Sequence, residues 1–130
     1  MVQPRITGIV LTRLKSTFMA RHNIDGNLAE DRVVDYLKSN GFLVIERNWK
    51  TKYCEIDIIA QKRNCLHFVE VKFRGTDSFG EGFDYITSNK IKQMAFAAQL
   101  WVSKNEYERE FVLSAAQVDR HFKITFIDQV

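Results

Sequence analysis

A mixed α/β domain is the fold class this sequence predicts, and three observations carry the prediction. Helix-spaced apolar residues bracket a run of strand-like segments, those segments are rich in β-branched and aromatic residues, and short polar or glycine-bearing stretches separate them. The order is helix, strand, strand, strand, helix, then one or two strands, which folds as a mixed α+β sheet flanked by helices. A length of 130 residues with 45% hydrophobic side chains and a single proline suits one domain with a full core. The ordinary apolar fraction excludes a mostly disordered chain, and no apolar run nears the ~18 residues of a membrane span.

The first helix is expected to open at Asp25-Gly26-Asn27, where Asn27 and Glu30 have the spacing of a capping box. Leu28, Val33, Val34 and Leu37 then recur at helical spacing, and Asn40-Gly41 is a stop signal. Phe42 to Trp49, Tyr53 to Ala60 and Cys65 to Phe73 read as strands of an antiparallel meander, the last two separated by Gln61-Lys62-Arg63-Asn64. Arg74 to Asp84 holds three of the six glycines and predicts a mobile loop. Thr87 or Ser88 caps a second helix running to Lys104, with Ile91, Met94, Ala95, Ala98 and Trp101 on one face. Phe111 to Ala115 and Lys123 to Ile127 are short closing strands.

The formal net charge of +3 is unevenly spread. Residues 1–24 hold Arg5, Arg13, Lys15 and Arg21 and no acid, so the remainder of the chain is close to neutral. That segment reads as a basic arm, a targeting segment, or an extension ahead of a true start at Met19, and residues 25–130 read as a single domain. Within the domain, Arg47, Lys50, Lys52, Lys62, Arg63, Lys72 and Arg74 outnumber Glu55, Asp57 and Glu70, a surplus suited to phosphates. Cys54 and Cys65 lack metal-ligand or disulfide-framework spacing, and free thiols point to a reducing cytoplasm. His22, His67 and His121 show no ligand spacing either, and Cys54 reads as a small buried hydrophobe.

The middle hairpin carries the candidate chemistry. Alternation puts Glu55 and Asp57 on one face of a strand, and Glu70 and Lys72 on one face of the next. A tight turn centred between Arg63 and Asn64 sets Asp57 opposite Glu70 and Glu55 opposite Lys72. Two facing carboxylates repel unless a cation intervenes, and Mg²⁺ or Mn²⁺ accepts one or two carboxylates, waters and phosphate oxygens. The carbonyl of Val71 is a further oxygen donor, and Lys72 is placed to orient water and offset charge on phosphorus. The plainer alternatives are a solvated Glu55–Lys72 ion pair worth less than about 1 kcal/mol, and a Glu30 that only completes a cap.

Glu30 on a helix, Glu55-Ile56-Asp57 on a strand and Glu70-Val71-Lys72 on the next together resemble the PD-(D/E)xK nuclease superfamily. More narrowly, the chain resembles the YraN-like family of small bacterial proteins, relatives of archaeal Holliday-junction resolvases. The similarity spans about Gly26 to Val102. It includes Ala29-Glu30, Arg47-Asn48-Trp49, Glu55-Ile56-Asp57-Ile58-Ile59-Ala60, Phe68-Val69-Glu70-Val71-Lys72-Phe73-Arg74, Phe79-Gly80 and Lys90. Cys54 and Ala29 stand where the family commonly has glycine. The resemblance implies a restriction-endonuclease-like core in which Asp57 and Glu70 bind metal, Glu30 adds a water-mediated contact and Lys72 supports the nucleophile. By the same analogy Lys90 or Gln93 faces the site, and Arg74 and Tyr85 touch the nucleic-acid backbone. The expected activity is Mg²⁺- or Mn²⁺-dependent hydrolysis of DNA, with branched junctions among the substrates. The alternative is a catalytically silent module that recruits nucleic acid or protein, and a homodimer through Phe42, Trp49 and Trp101 is compatible with either.

Overall fold

The computed structural model describes residues 20–75 and 83–130. Arg5, Arg13, Lys15 and Met19 of the basic arm, and Phe79-Gly80 of the glycine-bearing loop, lie outside the described residues. The elements are α1 (Ala20–Ser39), β1 (Leu43–Lys50), β2 (Glu55–Lys62), β3 (Cys65–Arg74), α2 (Ser88–Lys104), β4 (Glu110–Asp119) and β5 (Ile124–Ile127). This is the expected order, with both closing strands formed.

α1 does not open at Asp25-Gly26-Asn27; the helix is already formed at Ala20 and runs through Gly26. A glycine costs a helix interior about 1 kcal/mol. The apolar stripe of Ala29, Val33, Val34 and Leu37, all buried, outweighs that local stop signal. The other end behaves as its sequence predicts. Gly41 takes φ 87, Gly41 N–H donates to Lys38 O at 3.2 Å, and Phe42 N–H reaches back to Leu37 O at 2.9 Å. These two bonds form a Schellman motif, which needs the left-handed residue that glycine supplies most cheaply.

The strands lie side by side in chain order as a five-stranded sheet. Neighbours are antiparallel except β3 and β4, which run parallel and are joined through α2. Thr87 caps α2, its side chain accepting from Lys90 N–H at 3.1 Å. β4 is longer than expected because its parallel ladder with β3 continues from Glu110 to Asp119, past the polar Ser114 and Gln117 that break its apolar run.

Alternation along the strands splits the core in two. Ile58, Ala60, Val69, Ala116 and Val118 pack with α1, whereas Ile59, Leu66 and Phe68 pack with Ala97, Ala98 and Trp101 of α2. Each helix therefore covers one sheet face. Met94, Ala97, Ala98 and Trp101 are the buried residues of α2, so its core stripe lies slightly to one side of the expected one. Phe42 and Trp101 are buried in these cores and offer almost no surface to a second copy. Among the described residues, no helix is long and apolar enough to cross a membrane.

Candidate functional site

The site forms where β2 leaves β3. Their ladder runs from Lys62–Cys65, beside the Arg63-Asn64 turn, to Ile58–Val69, in the register the sequence predicts. Beyond that pair a side chain takes over from the backbone: Asp57 Oδ2 accepts Val71 N–H at 2.8 Å. Neither of the expected pairs, Asp57–Glu70 and Glu55–Lys72, is part of the ladder. β2 stays paired to β1 as far as Lys50–Glu55, so Glu55 follows β1, and its carboxylate lies 3.8 Å from Lys50 Nζ. Both partners are well exposed, and the pair contributes little.

Asp57 is under electrical stress. Burial favours its protonated form, the charge of Glu70 adds to that effect, and the Val71 hydrogen bond opposes it. Glu30 and Glu55 push in the same direction as Glu70, and together these effects push the pKa up to about 7.

Glu30 does not cap a helix, because α1 begins well before it. Its carboxylate, 8% exposed, reaches to β1 instead. Oε1 accepts from Arg47 Nη2 at 2.8 Å, from Arg47 Nε at 3.2 Å and from Asn48 Nδ2 at 3.0 Å. Arg47 Nη2 also binds Asp31 Oδ1 at 2.7 Å, so one guanidinium clamps two acids of α1. Asn48 sits at φ 51, between the pairs Arg47–Ile58 and Trp49–Ile56 and therefore alongside Asp57. Arg47 and Asn48 are neighbours of the candidate site whose partnership with Glu30 is not legible from individual residues. The available signal was an asparagine, tolerant of left-handed backbone, inside a strand.

On the α2 face, Glu70 Oε2 lies 3.0 Å from Lys90 Nζ, which brings the second helix to the site as the resemblance implied. Lys72 is exposed, with Nζ 5.7 Å from the centre of the Tyr85 ring. The Tyr85 hydroxyl turns inward. It is buried without a hydrogen-bond partner, and its pKa is raised by burial and then by the charge of Glu70. Gln117, paired with Lys72 across the β3–β4 ladder, has a buried and unpartnered Oε1. Unsatisfied buried polar atoms are rare in folded proteins, and these two flank the same lysine. Arg74 Nη1 sits 3.7 Å from Asp84 Oδ1, at the end of β3. Gln93 is exposed on α2 and lines, with Glu55, Glu70 and Lys90, a cleft of about 480 Å³. The fork thus gathers Asp57, Glu70, Val71, Lys72, Tyr85 and Lys90, with Glu30 tethered beside it.

Among the described residues, no three His, Cys, Asp or Glu side chains converge as a ready-made metal centre. The donor set still fits a hard divalent cation, which needs only one or two carboxylates and fills its shell with carbonyl, water and phosphate oxygens. The hydrogen bond to Asp57 takes Oδ2 and the ion pair to Glu70 takes Oε2, so Oδ1 and Oε1 are the oxygens to offer. Elsewhere, Cys54 and Cys65 are free thiols, His121 is exposed, and His67 is buried and hydrogen-bonded.

Fold and side chains together define a class: a small α/β protein with a nuclease-like core whose acids gather where two central strands part. The chain belongs to the family described as Uncharacterised protein family UPF0102, whose model matches residues 29–125 and so takes in Glu30, Asp57, Glu70 and Lys72. It is similar to a UPF0102 protein of Flavobacterium psychrophilum, 37% identical over 109 residues that cover 82% of this chain and 92% of that one. A Sulfurihydrogenibium relative is 42% identical over 83 residues, covering 64% of this chain and 72% of its own. One from Helicobacter pylori is 38% identical over 98 residues, covering 73% and 81% respectively.

Proposed function

We propose that the protein is a metal-dependent phosphodiesterase acting on DNA, branched DNA included, and working in the cytoplasm. The observation that supports this most is Asp57, a half-buried carboxylate whose burial, reinforced by the charges of Glu70, Glu30 and Glu55, pushes its pKa up to about 7. Folding stability alone disfavours such a gathering, whereas a bound cation relieves it. Asp57, Glu70 and the Val71 carbonyl would hold Mg²⁺ or Mn²⁺. When bound, that ion neutralises phosphate charge and makes a coordinated water more acidic. Lys72 offers a positive charge to the phosphate oxygens as they gain negative charge. Lys90, Gln93 and Arg74 hold the flanking backbone, and Glu30, fixed by Arg47 and Asn48, orients solvent next to Asp57. Tyr85 Oη, aimed inward, is available to donate to a bound oxygen.

The experiment is incubation of purified protein with Mg²⁺ or Mn²⁺ and linear, nicked, flapped and four-way DNA. Cleavage is expected to fall at least about a hundredfold in Asp57→Ala and in Lys72→Ala, the scale of losing a transition-state contact. Activity that survives both substitutions would belong to a contaminant and end the assignment.

A second reading is supported by the ion pairs themselves. Lys90 already neutralises Glu70 and Arg47 neutralises Glu30, so these acids can persist without metal in a silent DNA-binding module. Calorimetry with Mn²⁺ separates the two readings: retained DNA binding with no heat of metal binding favours the module.

A further inference from the structure

We propose that the cleft between the β1–β2 turn and α2 is a subsite for an unpaired base, so that the preferred substrate carries single-stranded DNA beside the phosphate to be cut. The inference deepens the nuclease reading above and rests on it. The cleft holds about 480 Å³ and is lined by Tyr53, Phe96, Met94, Gln93, Lys90 and Lys92, together with Glu55 and Glu70. Glu70 belongs to the acid site and Glu55 presses on Asp57, so an occupant of the cleft lies next to the scissile position.

Two aromatic side chains from separate elements line the cleft in solvent. Tyr53 is 73% and Phe96 53% exposed, so neither ring serves the core. Tyr53 is not on a loose loop. Thr51 Oγ1 accepts from both Tyr53 N–H at 3.0 Å and Cys54 N–H at 3.2 Å, and Thr51 N–H donates to Cys54 O at 2.9 Å. That turn presents the ring at little entropic cost, and the buried Met94 lines the cleft along with the exposed Phe96.

Charge agrees with the aromatic surface. Lys50 is paired with Glu55 and Lys90 with Glu70, whereas Lys52 lies over the Tyr53 ring at 5.4 Å and Lys92 sits one helical turn from Phe96. The cleft rim therefore keeps two lysines in surplus, and binding a divalent ion at the acids would raise the local charge further. Aromatic rings interleaved with lysines suit a nucleotide strand, since rings stack bases and ammonium groups follow phosphates. Bases inside a duplex already have both faces covered, so an unpaired base is the occupant that such rings can take.

The test is fluorescence anisotropy of the full chain with a labelled oligothymidine of about twelve nucleotides and with a hairpin duplex of matched length, without divalent ions. The single strand is expected to bind more tightly than the duplex. Tyr53→Ala and Phe96→Ala are each expected to weaken single-strand binding about tenfold, with Tyr53→Phe close to the parent. Calorimetric Mn²⁺ binding should be unchanged in all three, because none supplies a ligand. Equal affinity for single strand and duplex, or parental single-strand affinity in the Tyr53→Ala/Phe96→Ala double variant, overturns the subsite. Failure of the parent chain to bind Mn²⁺ or cleave DNA is read in separate assays and counts against the nuclease reading.

Discussion

His67 and Asp57 lie toward opposite ends of the β2–β3 pair, and both are buried or half-buried titratable groups on the central strands. Their surroundings resolve that burial in opposite ways. His67 Nδ1 lies 3.0 Å from Ser114 Oγ, and Ser114 Oγ donates to Asp128 O at 2.7 Å. The serine has one proton and gives it to a carbonyl, so His67 is the donor at Nδ1. Burial lowers its pKa, the charge of Asp128 partly opposes that, and the ring packs edge-on to Phe42 at 4.9 Å. The chain of bonds ties the C-terminal segment to β4, where Val130 N–H also meets Leu113 O at 2.8 Å. Asp57, by contrast, has one hydrogen bond from Val71 against three neighbouring carboxylates. At one end of the strand pair the buried group is satisfied by hydrogen bonds, and the other retains tension, from burial and like charge, that a proton or a cation would relieve.

The comparison is broken most strongly by relieving the acid end. The pKa of Asp57 rises from 3.8 unfolded to about 7 folded. The folded state therefore binds the extra proton, and the associated stability is full below about pH 4 and lost as pH climbs through about 7. In chelator, Asp57→Asn is expected to gain on the order of 3 kcal/mol over the parent above pH 8, with little difference near pH 4. Urea denaturation across that range measures it, and parallel pH profiles for the two proteins would show that no tension exists. The same variant should lose Mn²⁺ binding, so stability and function move in opposite directions.

The relaxed end responds with the other sign. Ser114→Ala leaves His67 Nδ1 and Asp128 O without their buried partner, and a loss of about 1–3 kcal/mol is expected at pH 7.5. Mn²⁺ affinity should not change, and a change there would mean the two ends are coupled. The smallest effect is expected from Asp128→Asn. This side chain is 74% exposed and 3.6 Å from His67 Nδ1, so its removal should cost less than about 1 kcal/mol. The His67 pKa should drop further, as followed by NMR titration of the ring. Because that pKa is lowered on folding, stability from this end is full above the ordinary value of 6.5 and fades as pH falls below it.

Local patterns revealed the element order, the Gly41 stop, the Thr87 cap and the β2–β3 register, because each is set by residues adjacent in the chain or by a symmetric turn. The start of α1 was misplaced because Asp25-Gly26-Asn27 has strong local turn chemistry, whereas burial of Ala29, Val33 and Leu37 against the sheet is a distant reward. At the site, Asp57, Glu70 and Lys72 were legible through strand alternation. The partners were not. That Glu30 answers to Arg47 and Asn48 depends on α1 crossing β1, and that Glu55 answers to Lys50 depends on β2 staying with β1 after leaving β3.

The bond from Val71 N–H to Asp57 Oδ2 has a further consequence. Most amides in a sheet are held by carbonyls whose charge never changes, but this one is held by a carboxylate that gains and loses charge near neutrality. Protonation at Oδ2 would weaken that acceptor, whereas a cation held at Oδ1 would leave the Val71 bond in place. Hydrogen exchange at the Val71 amide is therefore expected to quicken as Asp57 takes up its proton.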